Sequence, residues 1–288
     1  SWGRNNSGQL GDGTTTDRNL PGPVQLPTGV TFTQVDASAS HALATGSDGQ
    51  AYAWGRNNGG QLGNGTTTGS AVPVQVQAPA GVSLSGLSAG DLAYALGIGS
   101  DGNAYAWGAQ SAGLLGNGTG VGSTVPTPIS TPAGVTFTQV SAGLVHALAL
   151  GSDGNAYAWG NNVWGMLGNG TNTSSSVPVQ VLAPAGVTFT QVSASGTNSF
   201  ALAANGDLYA WGSNASGQFG NGDTTGSLVP VQAYASAGVT FTQVSAGGNY
   251  SMALGSDGRV YASGTNSAGQ LGDGTTTDSQ GPVQVQLP

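Results

Sequence analysis

The chain has 288 residues with no Cys, Lys or Glu; its bases are Arg4, Arg18, Arg56 and Arg259 beside two histidines, and Asp supplies all 12 acids for a formal net charge of −8. This excludes disulfides and thiolate metal sites, and it opposes nucleic acid and anionic membrane, which both need clustered Lys or Arg. Losing Lys and Glu while keeping 52 Gly together with Val, Thr, Tyr and Trp removes good helix formers and retains strand and turn formers, so the chain reads as all-β.

Ser1-Trp2-Gly3 opens the chain in mid-repeat, which predicts processing or truncation. From there AYAWG or its equivalent recurs with Trp or its substitute at Trp2, Trp54, Trp107, Trp159, Trp211 and Ser263, a spacing of 52 and once 53 residues. A fixed period of that order signals a repeat architecture. Each period aligns as four strand-like pieces. Piece A is GVTFTQVSAG or close to it (29–38, 81–90, 134–143, 186–195, 238–247). Piece B is a short apolar run (41–46, 94–99, 146–151, 200–205, 252–257), piece C is AYAWG, and piece D is VPVQV-like (72–76, 125–129, 177–181, 229–233, 281–285, with PGPVQL at 21–26).

Asp-Gly or Asn-Gly separates B from C at Asp48, Asp101, Asp153, Asn205 and Asp257. That dipeptide between apolar runs predicts a hairpin with a type I′ turn, whose two central residues take positive φ. C and D are joined by loops such as GQLGNGTTT (60–68). Pro73, Pro178, Pro230 and Pro282 place D at a sheet edge, where a missing N–H is tolerated. Piece A, rich in small residues, suits a crowded inner strand. Four antiparallel strands per unit, repeated radially, describe a β-propeller. C and D occur six times but A and B five. The expectation is one domain over 1–288, with a half-blade at 1–27 and blades at 28–78, 79–131, 132–183, 184–235 and 236–288. Strands from elsewhere would complete six or seven blades.

The phrase AGLVHALALGSDGNAYAWGNNVWGMLGNG (142–170) resembles the repeat of RCC1, the regulator of chromosome condensation, and the resemblance covers essentially the whole chain. It implies an RCC1-like propeller. The near-identical copies and the GVTFTQVSAG phrase look more like secreted bacterial members than the nuclear exchange factor. The charged surface with which that factor engages its GTPase has no counterpart here.

Candidate chemistry is sparse. His41 and His146 share one repeat position, where other copies carry Tyr94, Asn198 and Tyr250, and read as hydrogen-bonding blade residues rather than metal ligands or bases. The Asp residues are mostly singletons in turns, a backbone-capping use; weak calcium binding by LGDGTTTD at 10–17 and 271–278 is the alternative. The Gly-rich loops lack the Lys-Ser/Thr ending of a phosphate loop, and no Ser/His/Asp set stands out. Neither an enzyme nor a cofactor is expected. Trp54, Trp107, Trp159 and Trp211 recur in phase and are assigned to packing between blades. Trp164 and Tyr234 fall outside the repeat and are the expected partner surface, because off-pattern exposed aromatics mark binding better than repeated ones.

The functional expectation is a non-catalytic, secreted or cell-surface scaffold that self-associates or binds a protein. Assembly would run by strand completion at an edge marked by Trp2, Val24 and Leu26. The alternative is a soluble module binding a glycan or, inhibitor-like, an enzyme; an exchange factor ranks third.

Overall fold

The computed structural model describes residues 1–234 and 238–286. Strands β1 (Phe32–Ala37), β2 (His41–Gly46), β3 (Ala51–Gly55) and β4 (Ser70–Gln75) realise pieces A to D of the first complete repeat. The quartet recurs as β5 (Leu84–Gly90), β6 (Tyr94–Gly99), β7 (Ala104–Gly108) and β8 (Ser123–Pro128). Next come β9 (Phe137–Ala142), β10 (His146–Gly151), β11 (Ala156–Gly160) and β12 (Ser175–Gln180), then β13 (Phe189–Ser195), β14 (Asn198–Ala203), β15 (Leu208–Gly212) and β16 (Ser227–Gln232). The last quartet is β17 (Phe241–Ala246), β18 (Tyr250–Gly255), β19 (Val260–Gly264) and β20 (Ser279–Gln284). They form five four-stranded antiparallel sheets with strands in chain order, the five expected blades. No helix among the described residues is long and apolar enough to cross a membrane. The expected boundary at 235/236 and the end of the last blade at 288 lie outside the described residues. The chain divides into two compact units, Ser1–Ala142 and Gly143–Pro288.

The burial of each strand follows its composition. AYAWG in β3, β7 and β11 is buried at every position, because a central strand covered on both faces needs no polar alternation. The A strands alternate instead: in FTQVSA of β9, Phe137 and Val140 are buried while Thr138 is exposed. Adjacent inner strands are stapled at one repeat position. Ser88 Oγ accepts from Ala142 N at 3.1 Å, and Ser193 Oγ accepts from Ala246 N at 3.0 Å. In the first blade Asp36 replaces the serine and accepts from Ala89 N at 2.7 Å.

The B–C hairpins form, but with a different turn. Gly49 N donates to Gly46 O at 3.0 Å and Gly46 N to Gln50 O at 2.8 Å. Gly49 is left-handed with φ of 76°, whereas Asp48 is not among the positive-φ residues. The connection is therefore a type I turn closed by a left-handed glycine with a bulge. The physical reason is the carboxylate: Asp48 Oδ1 accepts from Gln50 N at 3.1 Å, holding Asp in the right-handed region. The D strands are edge strands, and their prolines sit inside them at a bulge rather than at the first position. Register slips between the pairs Ala53↔Val74 and Gly55↔Ser70, which places Pro73 where no ladder N–H is required.

Residues 1–27 do not form two strands. One isolated bridge joins Gly3 and Arg18, extended by Ser1 N to Gly22 O at 2.7 Å and Gly22 N to Ser1 O at 3.0 Å. These are the partners that Ala53–Val74 and Gly55–Ser70 make one repeat later, so the segment keeps the C–D pairing of the complete blades.

Hydrophobic cores lie between consecutive blades. In the first unit Leu43, Ala53, Leu62 and Val76 of one blade pack with Leu84, Leu87, Ala95 and Trp107 of the next. In the second, Leu148, Ala158, Leu167 and Val181 pack with Phe189, Val192, Ala201 and Trp211. Three indoles also reach back to the preceding C–D loop: Trp54 Nε1 donates to Gln9 O at 2.9 Å, Trp107 to Gln61 O at 2.9 Å and Trp211 to Met166 O at 2.8 Å. Those loops are knotted by a buried Asn three residues after the tick. Asn57 Oδ1 accepts from Leu62 N at 2.9 Å, and its Nδ2 donates to Thr66 O and Thr68 O at 3.0 Å each. Asn5, Asn162, Asn214 and Asn266 repeat this pattern. Gln110 takes the position in one loop, accepting from Leu115 N at 3.0 Å, and there Ala112 adopts φ of 49°.

Ser263 interrupts the tryptophan series. It is buried, and a void of about 10 Å³ remains among Phe219, Phe241, Tyr261, Ser251 and Pro282. Phe219 stands where other repeats have Leu62, Leu115, Leu167 and Leu271, so its ring fills much of the missing indole's space. Ser251 Oγ donates at 2.7 Å to Gln218 O, the carbonyl an indole would otherwise take.

Ser263→Trp alone is expected to destabilise the chain by about 1–3 kcal/mol through overpacking, whereas Ser263→Trp with Phe219→Leu restores the repeat and raises stability above the parent. Equilibrium unfolding in guanidinium reads both; a stabilised single variant would contradict the packing account. Asn57→Ala, which strands the buried Leu62 N–H and unties the loop, costs about 3 kcal/mol on the same assay.

Candidate partner surface

The first expected surface residue, Trp164, stands on the loop after β11 and is 61% exposed. Its loop neighbour Val163 is 57% exposed, and Leu228, second residue of β16, is 42% exposed. The three meet at the edge of a pocket of about 380 Å³ also lined by Asn172, Ser213, Asn214, Thr224 and Ser227. Gly165 makes the meeting feasible: a Cβ there would come within 2.6 Å of Leu228 Cδ2, and its φ of 80° favours glycine. Ser227 Oγ is committed to Val229 O at 2.6 Å and Asn214 to its loop, so both are structural.

Tyr234 is 61% exposed but does not line this pocket. It lies over Gly222, where an added Cβ would meet its ring at 2.9 Å, and its backbone N–H donates to Gly220 O at 3.0 Å. In the first unit Trp2 is 64% exposed, although its in-phase counterparts Trp54, Trp107 and Trp211 are buried. Leu26 is also exposed. Val24 differs: it packs against Ala42, Ala44 and Trp54. It holds the place that Val76 takes in the next repeat, where a side chain pointing to the indole is core.

Both histidines are buried at the starts of their strands. His41 Nδ1 lies 2.8 Å from Ser38 Oγ, and His146 Nε2 lies 2.8 Å from Ser199 Oγ. Burial pushes His41 down to about 4, against a smaller lift from the Tyr94 backbone, and pushes His146 down to about 3. Among the described residues no group of three or more His, Cys, Asp or Glu is placed to hold a metal ion.

The aspartates do turn work. Tyr52, Tyr105, Tyr157 and Tyr261 hydroxyls donate to Asp48, Asp101, Asp153 and Asp257 of their own hairpins at 2.7–2.8 Å. The Tyr52 bond holds the Asp48 carboxyl below its usual value, and Tyr52 is pushed up to about 12. In the LGDGTTTD loops the oxygens are used internally. Asp12 Oδ1 accepts from Thr14 Oγ1 at 2.7 Å and Asp17 Oδ1 from Asn5 N at 2.7 Å, while Arg18 pairs with Asp12 at 3.1 Å. Asp273 and Asp278 behave alike toward Thr275 and Asn266. Asp36 is the exception in sign: burial raises it, against a hydrogen bond from Ala89 and with a lift from Asp91.

Sequence reading missed two kinds of residue. Val163 and Leu228 were visible as departures, since other repeats carry Asn58, Ser111, Ala215 and Ser267 at the first place and Ala71, Thr124, Ser176 and Gln280 at the second. Attention to aromatics alone passed over them. The knotting asparagines were legible as a residue recurring at Trp plus three.

Five four-stranded blades with indoles locked between them define a β-propeller architecture. A family model described as the RCC1-like domain matches residues 1–288, and the chain belongs to that family. The ultraviolet-B receptor UVR8 of Arabidopsis thaliana is 34% identical over 289 residues, 100% of this chain and 66% of the receptor. The probable E3 ubiquitin-protein ligase HERC6 of Homo sapiens is 33% identical over 90% of this chain and 26% of the ligase. The chain thus spans two thirds or less of these relatives. Among solved structures, human WBSCR16 superposes with a TM-score of 0.86 at 25% identity, covering 98% of this chain and 75% of that one. Yeast RCC1 (Prp20), in its complex with Kap60, gives 0.85 at 22%, covering 99% and 70%.

The histidines set an acid response. Unfolded histidine titrates near 6.5, so between pH 6.5 and about 4 the unfolded chain binds more protons than the folded one. Stability is complete above that window and falls with pH inside it, by about 1.4 kcal/mol per pH unit per histidine. Asp36 opposes this, since its raised carboxyl takes a proton in the folded state first. His41→Tyr, the residue at the same place in two other blades, should remove about half the slope in urea unfolding midpoints measured against pH; an unchanged slope would show that His41 is not buried as neutral imidazole.

Proposed function

We propose that this chain is a non-catalytic interaction scaffold that engages a macromolecular partner, a protein or a second copy of itself, through exposed apolar side chains carried by a repeat-locked frame. The observation that carries the reading is the position of Trp2. In phase with indoles that are buried elsewhere, it stands exposed, as Leu20 and Leu26 of the same segment do, on backbone held by the Gly3–Arg18 bridge and the Ser1–Gly22 hydrogen bonds. Peptide groups left without a ladder are a template for strand addition, and burying Trp2 and Leu26 would drive it. The family supports interaction: yeast RCC1 is seen bound to Kap60. Placement outside the cell or on its surface rests on the likeness of the GVTFTQVSAG phrase to secreted members. Detection in the medium or surface fraction of the producing cell tests it.

A second reading is favoured by the off-repeat cluster at Trp164: a soluble binding module whose ligand sits on the second unit. Size-exclusion chromatography with light scattering separates the two. The scaffold reading expects a concentration-dependent oligomer that Trp2→Ser with Leu26→Ser converts to monomer. A parent chain that stays monomeric at concentrations of about 100 μM, a weak regime for such contacts, would remove self-assembly.

A further inference from the structure

We infer that the pocket between Trp164 and Leu228 is a binding site for a neutral saccharide. The inference deepens the second reading above and rests on it. Three large apolar side chains, Val163, Trp164 and Leu228, appear at this one junction, where the other repeats carry mostly small or polar residues. They come from places 64 residues apart in the chain and meet only because the C–D loop of one blade lies on the D strand of the next.

None of the eleven lining residues carries a formal charge, on a chain whose net charge is −8. A phosphate, an acidic peptide or a basic peptide would find no counter-charge there, so the lining complements an uncharged ligand. The polar groups are of a definite kind. No described residue hydrogen-bonds the side chains of Asn172, Ser213 and Thr224, which leaves one amide and two hydroxyls open to an occupant beside an exposed indole. A pyranose matches this pairing: one ring face presents C–H groups with positive character to the negative face of the indole, and its hydroxyls exchange hydrogen bonds with amide and hydroxyl groups. The pocket of about 380 Å³ falls in the range of ligand clefts, roughly 300–1,000 Å³.

Calorimetric titration of the full chain with cellotetraose, chitotetraose and mannotetraose tests the inference. At least one is expected to bind at a single site, with affinity unchanged between low and high salt because no charge takes part. Trp164→Ala should weaken binding by at least about tenfold, and Trp164→Phe by less, since the ring face is retained. Trp164 is exposed, so both variants should melt at the parent temperature, which separates lost binding from lost folding. Absence of binding by all three sugars, affinity that falls with salt, or binding that survives Trp164→Ala would each overturn the inference. If no sugar binds while a purified protein partner is lost on Trp164→Ala, the saccharide assignment fails and the binding-module reading stands. If Trp164→Ala alters no interaction of any kind, both fail.

Discussion

The indole wedged between consecutive blades is the interaction on which the rest depends. Trp107 and Trp211 are fully buried, and each donates its N–H to a carbonyl of the loop in the blade before. One side chain thus supplies apolar area to two sheets and fixes the loop that the next blade packs on. Removing such a ring costs about 3–5 kcal/mol, more than any single surface contact here could return. The loop must come very close to make this possible. A Cβ at Gly63 or Gly168 would lie 2.7 Å from the indole nitrogen, so those glycines are conditions of the lock rather than loose joints.

Several polar groups near the lock hold it in place. The asparagine knot satisfies the buried loop N–H, and the Tyr–Asp bond ties each hairpin. The inner-strand serines hold neighbouring blades at one repeat position. Residues suggestive of chemistry are used within this frame. The aspartates of LGDGTTTD are occupied by their own loop, and the histidines are held neutral by burial. Val163, Trp164, Leu228 and Tyr234 depart from the repeat and are exposed.

The last complete blade shows how far the lock can be altered. With Ser263 in place of the indole, Phe219 moves a ring into the gap, and Ser251 keeps the bond to the loop carbonyl that Ser199 makes beside Trp211. Phe219 in place of leucine compensates for the missing indole and preserves close packing, leaving a void at the lower limit of what holds one water.

The sequence by itself determined the architecture. A period of about 52 residues with apolar runs, turn dipeptides and edge prolines prescribes strand order and hairpin pairing, because these depend on local propensity and on a pattern visible along one chain. It also determined that Trp164 would be exposed, since a large ring at a position otherwise small has no slot in a repeated core. Tertiary structure decided what the pattern could not express. Asp48 stays right-handed because its own carboxylate caps the turn. Val24 turns inward to an indole one repeat away. Leu228 joins Trp164 across 64 residues of chain, a meeting set by which blade packs on which loop. Such outcomes depend on long-range contacts, which a repeat makes in every copy and which only the departures from it turn into a site.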